Sequence, residues 1–78
     1  MKLSLKYFGQ IAEICETTEE TIEFDGSSAK DLRQWLNEKY PPLISITYKM
    51  AINHALADED TLLSPNTVVA LLPPFAGG

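Results

Sequence analysis

The sequence predicts an α+β fold in which a mixed sheet of four to five strands carries one main helix on one face. Three observations support this: alternating apolar residues in several short segments, a capped amphipathic segment, and an uncharged β-branched run near the end of the chain. The chain has 78 residues, which is enough for one domain of about 50 to 100 residues but not for two.

Five segments are predicted as strands. They comprise residues 2–8, 20–24, 49–53, 55–57 and 67–72. The first three alternate between apolar and polar side chains, as half-buried strands do, whereas the fourth is only a short extended piece. The last segment contains no charged residue, which is typical of a central strand buried on both faces.

The main helix is predicted from its boundary signals. Ser28 is a good N-cap, and Asp31 can reach back toward the backbone of Ser28 in a near version of the capping box. Apolar residues recur at helical spacing from Ala29 to Tyr40, where Pro41-Pro42 ends the helix. The simplest arrangement pairs the first strand with the last in a single mixed sheet and packs the helix on one face of it. That arrangement is the β-grasp.

Composition excludes several classes of function. Lys and Arg total 6 and Asp and Glu total 11, giving a net charge of -5. This balance disfavours nucleic acid and anionic membrane as partners and favours partners with basic surfaces. A single cysteine cannot form an internal disulfide, so we expect a reducing compartment. The chain has no membrane-span or signal-peptide pattern, which predicts a cytoplasmic protein.

The usual catalytic patterns are missing, so we expect no enzymatic activity from the isolated chain. Cys15 lies in a short connector of about one turn between the first two strands, and His54 lies in a bend near the third. We interpret Cys15 as a buried apolar residue and His54 as a polar turn residue. The acidic stretch at residues 58–60 lacks the glycine and distal glutamate of a calcium loop. The sequence therefore predicts no metal site and no bound cofactor.

The end of the chain has a different character. Residues 61–78 contain no ionisable side chain, so the α-carboxylate of Gly78 is the only charge there. Pro73-Pro74 must end the last strand at Leu72. We therefore divide the chain into a β-grasp domain, residues 1–72, and a flexible tail, residues 73–78, that ends in this isolated carboxylate. The tail can extend about 20 Å, and Gly77 leaves steric access to Gly78 because it has no side chain.

An apolar patch is predicted on the sheet face away from the helix. If Tyr7 faces the helix, alternation turns Phe8 outward and places Leu72 outward beside it. Leu56 could complete the patch, unless loops of the chain cover Phe8 and Leu56. The residues predicted to contact a partner are Phe8, Leu56, Leu72, Pro73, Pro74, Phe75 and Ala76.

Residues 71–78 resemble the end of the small subunits of molybdopterin synthase, which are ubiquitin-like sulfur carriers. Residues 7–14, 31–36 and 51–54 are similar to the first strand with its connector, the helix and the third strand of that family. The double proline followed by Gly-Gly is the specific part of the resemblance, which runs over nearly the whole chain.

The resemblance implies a reaction cycle centred on Gly78. An adenylating enzyme of the ubiquitin-activating type would use ATP to activate the Gly78 carboxylate, and a sulfur donor system would convert it to a thiocarboxylate. The tail would then deliver sulfur to cyclic pyranopterin monophosphate in the large subunit. Three alternatives stay open at this point: a sulfur carrier for thiamine synthesis, a protein modifier that Gly78 joins to lysines, and a passive interaction module.

Overall fold

The computed structural model describes residues 1–73. Its five strands are β1 (Lys2–Tyr7), β2 (Glu19–Glu23), β3 (Lys49–Ile52), β4 (Ala55–Leu56) and β5 (Thr67–Leu72). Its helices are α1 (Gln10–Cys15), α2 (Ala29–Lys39) and a 3-10 helix at Pro41–Ser45. None of the helices in this part of the chain is long and apolar enough to cross a membrane.

The strands form one mixed sheet in the order β2-β1-β5-β3-β4. The first and last strands lie side by side and run parallel, with Leu3 opposite Thr67 and Tyr7 opposite Leu71. All other neighbours are antiparallel. The predicted β-grasp, with one main helix on one face of a mixed sheet, is confirmed.

The core lies between α2 and one face of the sheet. Leu5 of β1 and Val69 of β5 are completely buried, as are Leu32 and Leu36 of α2. The other face of the sheet, opposite α2, is called the outer face below. Alternation along β1 and β5 decides which side chains reach the core and which reach the outer face.

The boundaries of α2 follow the predicted signals. The Ser28 side chain accepts a hydrogen bond from the Asp31 backbone N–H at 3.3 Å, and the Asp31 carboxylate accepts from the Ser28 N–H at 3.1 Å. Both halves of the capping box are therefore present. The Asp31 carboxylate also accepts from the Ser27 N–H, and these backbone hydrogen bonds hold the pKa of Asp31 below its usual value.

Two details of the predicted elements were wrong, and one element was not predicted. β5 is not buried on both faces, because α2 covers only one face and Val68 and Ala70 on the other stay partly exposed. The connector forms a six-residue helix, α1, because Ile11 and Cys15 gain burial against the core. No prediction covered the 3-10 helix at Pro41–Ser45, whose prolines have a φ that suits its first turn.

An acidic residue, Glu20, lies on the core side of β2, opposite Leu5. Its carboxylate accepts hydrogen bonds from the hydroxyls of Tyr7 at 2.5 Å and Tyr40 at 2.6 Å and from Lys39 Nζ at 2.9 Å. Burial alone would raise the pKa of Glu20, but these three hydrogen bonds outweigh it and hold the pKa below its usual value. This cluster ties β1 and β2 to the end of α2.

Candidate functional site

The point where the chain leaves the sheet is fixed by β5 and Gly9. β5 is a central strand, bonded to β1 on one side and to β3 on the other, and it ends at Leu72. Gly9 has a φ of +56°, and a β-carbon placed there would lie 3.3 Å from Cγ of Pro73. A side chain at this position would be strained and would crowd the exit. The sequence indicated Gly9 only as the break after the first strand, because its contact with Pro73 depends on the pairing of β1 with β5.

Five residues predicted to carry or deliver the reactive carboxylate lie outside the described part of the chain. They are Pro74, Phe75, Ala76, Gly77 and Gly78. Their roles remain predictions. Of the predicted tail, the structure describes Pro73, which is partly buried and lies beside Gly9.

The predicted apolar patch lies on the outer face. Phe8 is 46% exposed and Leu56 is 67% exposed, so the alternative in which loops of the chain cover them is wrong. Leu72 lies on the same face, opposite Lys49 of β3, and is partly exposed. The structure therefore places all three residues where a partner could reach them, although their role in binding stays a prediction.

A pocket of about 190 Å³ lies at the centre of the outer face. It is lined by Lys6, Phe8, Ala51, His54, Val68 and Ala70. Ala70 is opposite both Lys6 and Ala51 in the sheet, so the small side chains of β3 and β5 leave room in the middle while longer ones stand around it. Of the predicted contact residues within residues 1–73, only Phe8 lines the pocket. Leu56 lies on the same face, opposite Ala51.

His54 reaches this pocket because of a tight turn. Asn53 and His54 both have left-handed backbone angles, with φ of 51° and 71°, and they join β3 to β4. Two successive left-handed residues suit a two-residue hairpin connection. The sequence predicted a polar turn residue here, which is correct, but it gave no sign that the turn would place His54 on the outer face beside Phe8.

A cysteine and a histidine could have formed a catalytic pair, but in this chain they lie on opposite sides of the sheet. Cys15 belongs to the core between the sheet and α2, whereas His54 lines the outer-face pocket. Burial raises the pKa of the Cys15 thiol to about 11, with a further contribution from the nearby charge of Glu20. The thiol is therefore protonated near neutral pH and behaves as the predicted small apolar residue. No group of three His, Cys, Asp or Glu side chains within residues 1–73 is arranged to hold a metal ion.

Comparison with known proteins identifies the family. The sequence profile of the ThiS family matches residues 5–78. The chain belongs to the ThiS family. It is thus a small ubiquitin-like protein of the sulfur-carrier type, which confirms the resemblance noted in the sequence.

Solved structures support this assignment. A structure described as the complex of subunits 1 and 2 of molybdopterin-converting factor from Helicobacter pylori contains a chain that is 30% identical to this ThiS-family protein, with 100% of both chains covered and a TM-score of 0.72. The putative molybdopterin converting factor subunit 1 from Pyrococcus furiosus shares the fold at 22% identity, with 95% of this chain and 98% of that one covered and a TM-score of 0.88. SAMP1 from Haloferax volcanii shares it at 21% identity, with complete coverage of both chains and a TM-score of 0.82.

Proposed function

We propose that this ThiS-family chain is the sulfur-carrying small subunit of a molybdopterin synthase. The observation that carries the proposal is the end of β5. A central strand, bonded on both sides, delivers the chain to Pro73 at a fixed point beside Gly9, and residues 71–78 resemble the end of the molybdopterin synthase small subunits. The Helicobacter pylori relative, which is described as part of a complex of subunits 1 and 2, supports a large-subunit partner.

The proposed chemistry takes place on the Gly78 carboxylate. A free carboxylate is a poor acylating group, so a partner enzyme first joins it to AMP from ATP and releases pyrophosphate. A sulfur donor then displaces AMP and leaves a thiocarboxylate on Gly78. In the large subunit each thiocarboxylate passes its one sulfur to cyclic pyranopterin monophosphate, so two thiocarboxylated chains supply the two sulfurs of the dithiolene, and water restores each carboxylate. Gly77 and Gly78 suit this role because they present no side chain to the walls of a narrow channel.

The rest of the chain binds and orients. We propose that residues 1–72 act as the docking domain and residues 73–78 as a flexible tail that enters the partner. Phe75 and Ala76 would contact the partner along the tail. Pro73 and Pro74 lack N–H groups and have a restricted φ, so the tail loses less conformational entropy on binding than an ordinary segment would. The chain itself needs no bound cofactor, because the adenylating enzyme uses the ATP.

The outer-face patch is proposed as the docking surface for the large subunit and the adenylating enzyme. Phe8, Leu56 and Leu72 are apolar side chains on one open face of a small domain, and such patches usually mark partner surfaces. Phe8 and Leu72 also lie at the end of the sheet from which the tail leaves. A partner held there would have the base of the tail at its own surface.

Intact-mass measurement tests the proposal. The chain is incubated with the adenylating enzyme, ATP and a sulfur donor, and we expect a mass increase equal to the replacement of one oxygen by sulfur. Adding the large subunit and cyclic pyranopterin monophosphate should return the original mass and form the dithiolene. A chain that lacks Gly78 serves as the control and should remain unchanged.

Assays of thiamine synthesis and incubation with a cell lysate, added to this experiment, separate the alternative functions. A thiocarboxylated chain that yields no dithiolene but supports thiamine synthesis would assign it to that pathway. Gly78-linked lysines in lysate proteins would indicate a protein modifier. Normal turnover by the chain that lacks Gly78 would contradict every form of the carrier proposal and leave the passive interaction module.

A further inference from the structure

The outer face carries three lysines, although the chain as a whole is acidic. Lys2 and Lys6 of β1 and Lys49 of β3 are exposed, while their strand neighbours Leu5 and Met50 are buried, so alternation turns these lysines to the outer face. They are half of the 6 Lys and Arg residues of a chain with a net charge of -5.

These lysines make no ion pair within residues 1–73. The basic groups that do form ion pairs in this part of the chain are the N-terminus, Arg33 and Lys39. Lys6 is opposite Glu19 of β2 in the register, but the two side chains do not form an ion pair. Lys49 is opposite Leu72 and has no carboxylate across the strand pair. The charges of Lys6 and Lys49 are therefore available to a partner.

Two exposed acidic residues share the outer face with these lysines, but neither lines the pocket. Glu19 and Glu23 belong to β2, the edge strand beyond β1, whereas the pocket lies over β1, β5 and β3. Lys6 lines the pocket on the β1 side. Lys49 is two residues before Ala51 on β3, about 7 Å along the strand. The pocket therefore has a lysine on each of two sides.

We propose that this pocket receives one apolar side chain from an acidic surface of the partner, whose carboxylates pair with Lys6 and Lys49. The inference rests on the proposed function, since the partner considered is the large subunit. The pocket has a volume of about 190 Å³, which leaves room for one apolar side chain. Charge at the rim of an interface mainly sets orientation and encounter rate.

The charge distribution also selects the direction of approach. The net charge of -5 repels an acidic partner surface from the chain as a whole, whereas Lys6 and Lys49 attract it locally to the outer face. That face is next to the exit at Pro73, so the favoured encounter presents the base of the tail to the partner. Net charge alone had favoured basic partners, and the placement of the lysines reverses that expectation for this surface.

Zero-length cross-linking tests the inference in the complex of the full chain with the large subunit. A carbodiimide joins a lysine amine to a neighbouring carboxylate with loss of water. We expect links from Lys6 and Lys49 to Asp or Glu residues of the large subunit. Lys30 is the internal control, because it is exposed on α2, on the other side of the sheet. Links from Lys30 without links from Lys6 or Lys49 would overturn the inference.

The same reaction reports separately on the proposed function. The carbodiimide also activates the Gly78 carboxylate, which would couple to a lysine of the large subunit if the tail enters it. Gly78 links without Lys6 or Lys49 links would contradict the acidic docking surface and leave the carrier function standing. Links from Lys6 and Lys49 without Gly78 links would support the docking surface and count against delivery by the tail.

Charge reversal gives an independent measurement. Lys6→Glu, Lys49→Glu and Lys30→Glu change the net charge equally, so any difference among them reflects position. At low salt we expect Lys6→Glu and Lys49→Glu to weaken binding of the large subunit about 10-fold or more, because attraction becomes repulsion. Lys30→Glu should change it by less than about twofold. High salt should reduce the difference. Equal effects of all three variants would overturn the inference.

Discussion

Replacing Glu20 by glutamine should destabilise the fold through loss of a buried charge. The Glu20 side chain is only 20% exposed and accepts three hydrogen bonds, two of them from tyrosine hydroxyls at 2.5 and 2.6 Å. Hydrogen bonds to a charged group contribute about 1.5 to 3 kcal/mol, against about 0.5 to 1.5 kcal/mol for neutral pairs. The amide oxygen of the introduced glutamine can still accept from Tyr7 and Tyr40, so each of these two hydrogen bonds loses about 1 kcal/mol.

The other contributions to this change are smaller and partly cancel. The ion pair with Lys39 is partly solvent-exposed and contributes about 0.2 to 1 kcal/mol. Removing a charge from a half-buried site recovers part of its desolvation cost. We therefore expect Glu20→Gln to lower the free energy of unfolding by about 1.5 kcal/mol, which in a domain of this size lowers Tm by about 6 to 12 °C.

Thermal unfolding at several pH values checks the cause. Because the pKa of Glu20 is lowered in the folded chain, its stabilisation is full above the unfolded value of about 4.3 and is lost as pH falls through the folded pKa. The Tm difference between wild type and Glu20→Gln should therefore narrow below about pH 4. Glu19→Gln is the matched control, since Glu19 is adjacent, exposed and changes charge equally. An equal Tm loss in both variants, or a difference independent of pH, would refute the reasoning.

The remaining predictions concern the point where the chain leaves the sheet, the outer-face patch and the tail. Deleting Gly78 should abolish sulfur transfer without changing Tm, because it removes no core residue. Phe8→Ala should weaken large-subunit binding by about 1 to 3 kcal/mol. Ile44→Ala is the control and should not weaken it, because Ile44 is 68% exposed on the 3-10 helix, which packs against α2. Gly9→Ala should cost about 1 to 3 kcal/mol of stability because φ is +56° there. The amide order parameter of Ala76, measured by NMR, should rise when the large subunit is added.

Local signals were sufficient for most of the fold. The capping box at Ser28 and Asp31 acts within one turn, so the sequence predicts the start of α2 correctly. Alternation similarly predicts which residues of β1 face the core. The run at residues 67–72 was misread on one point, because an uncharged strand looks the same whether one or both faces are covered. Whether one or both faces of the strand are covered depends on how many helices pack on the sheet, which only the whole chain determines.

The Glu20 cluster and the outer-face pocket show where sequence reasoning stops. Glu20 has the same parity as the buried Ile22, which accounts for its position on the core side of β2. Its partners Tyr7 and Tyr40 come from distant segments, so nothing in the sequence indicated the cluster. The pocket likewise joins three separate strands and a turn. Its shape depends on small residues such as Ala70, which carry little signal because alanine fits many environments.

The outer-face patch lies beside Pro73, where the tail begins, and this limits where the partner's reacting site can be. Residues 73–78 can span at most about 20 Å, so a partner that holds Phe8 and Leu72 must place its reacting site within that distance of Pro73. A tether this short keeps the carboxylate at an effective concentration in the millimolar range. A substitution on the outer face can therefore weaken binding of the partner without changing the rate of sulfur transfer in the bound complex. A Lys6 variant should need more large subunit for half-maximal transfer yet reach the same rate at saturation, because its substitution changes the encounter and not the reach of Gly78.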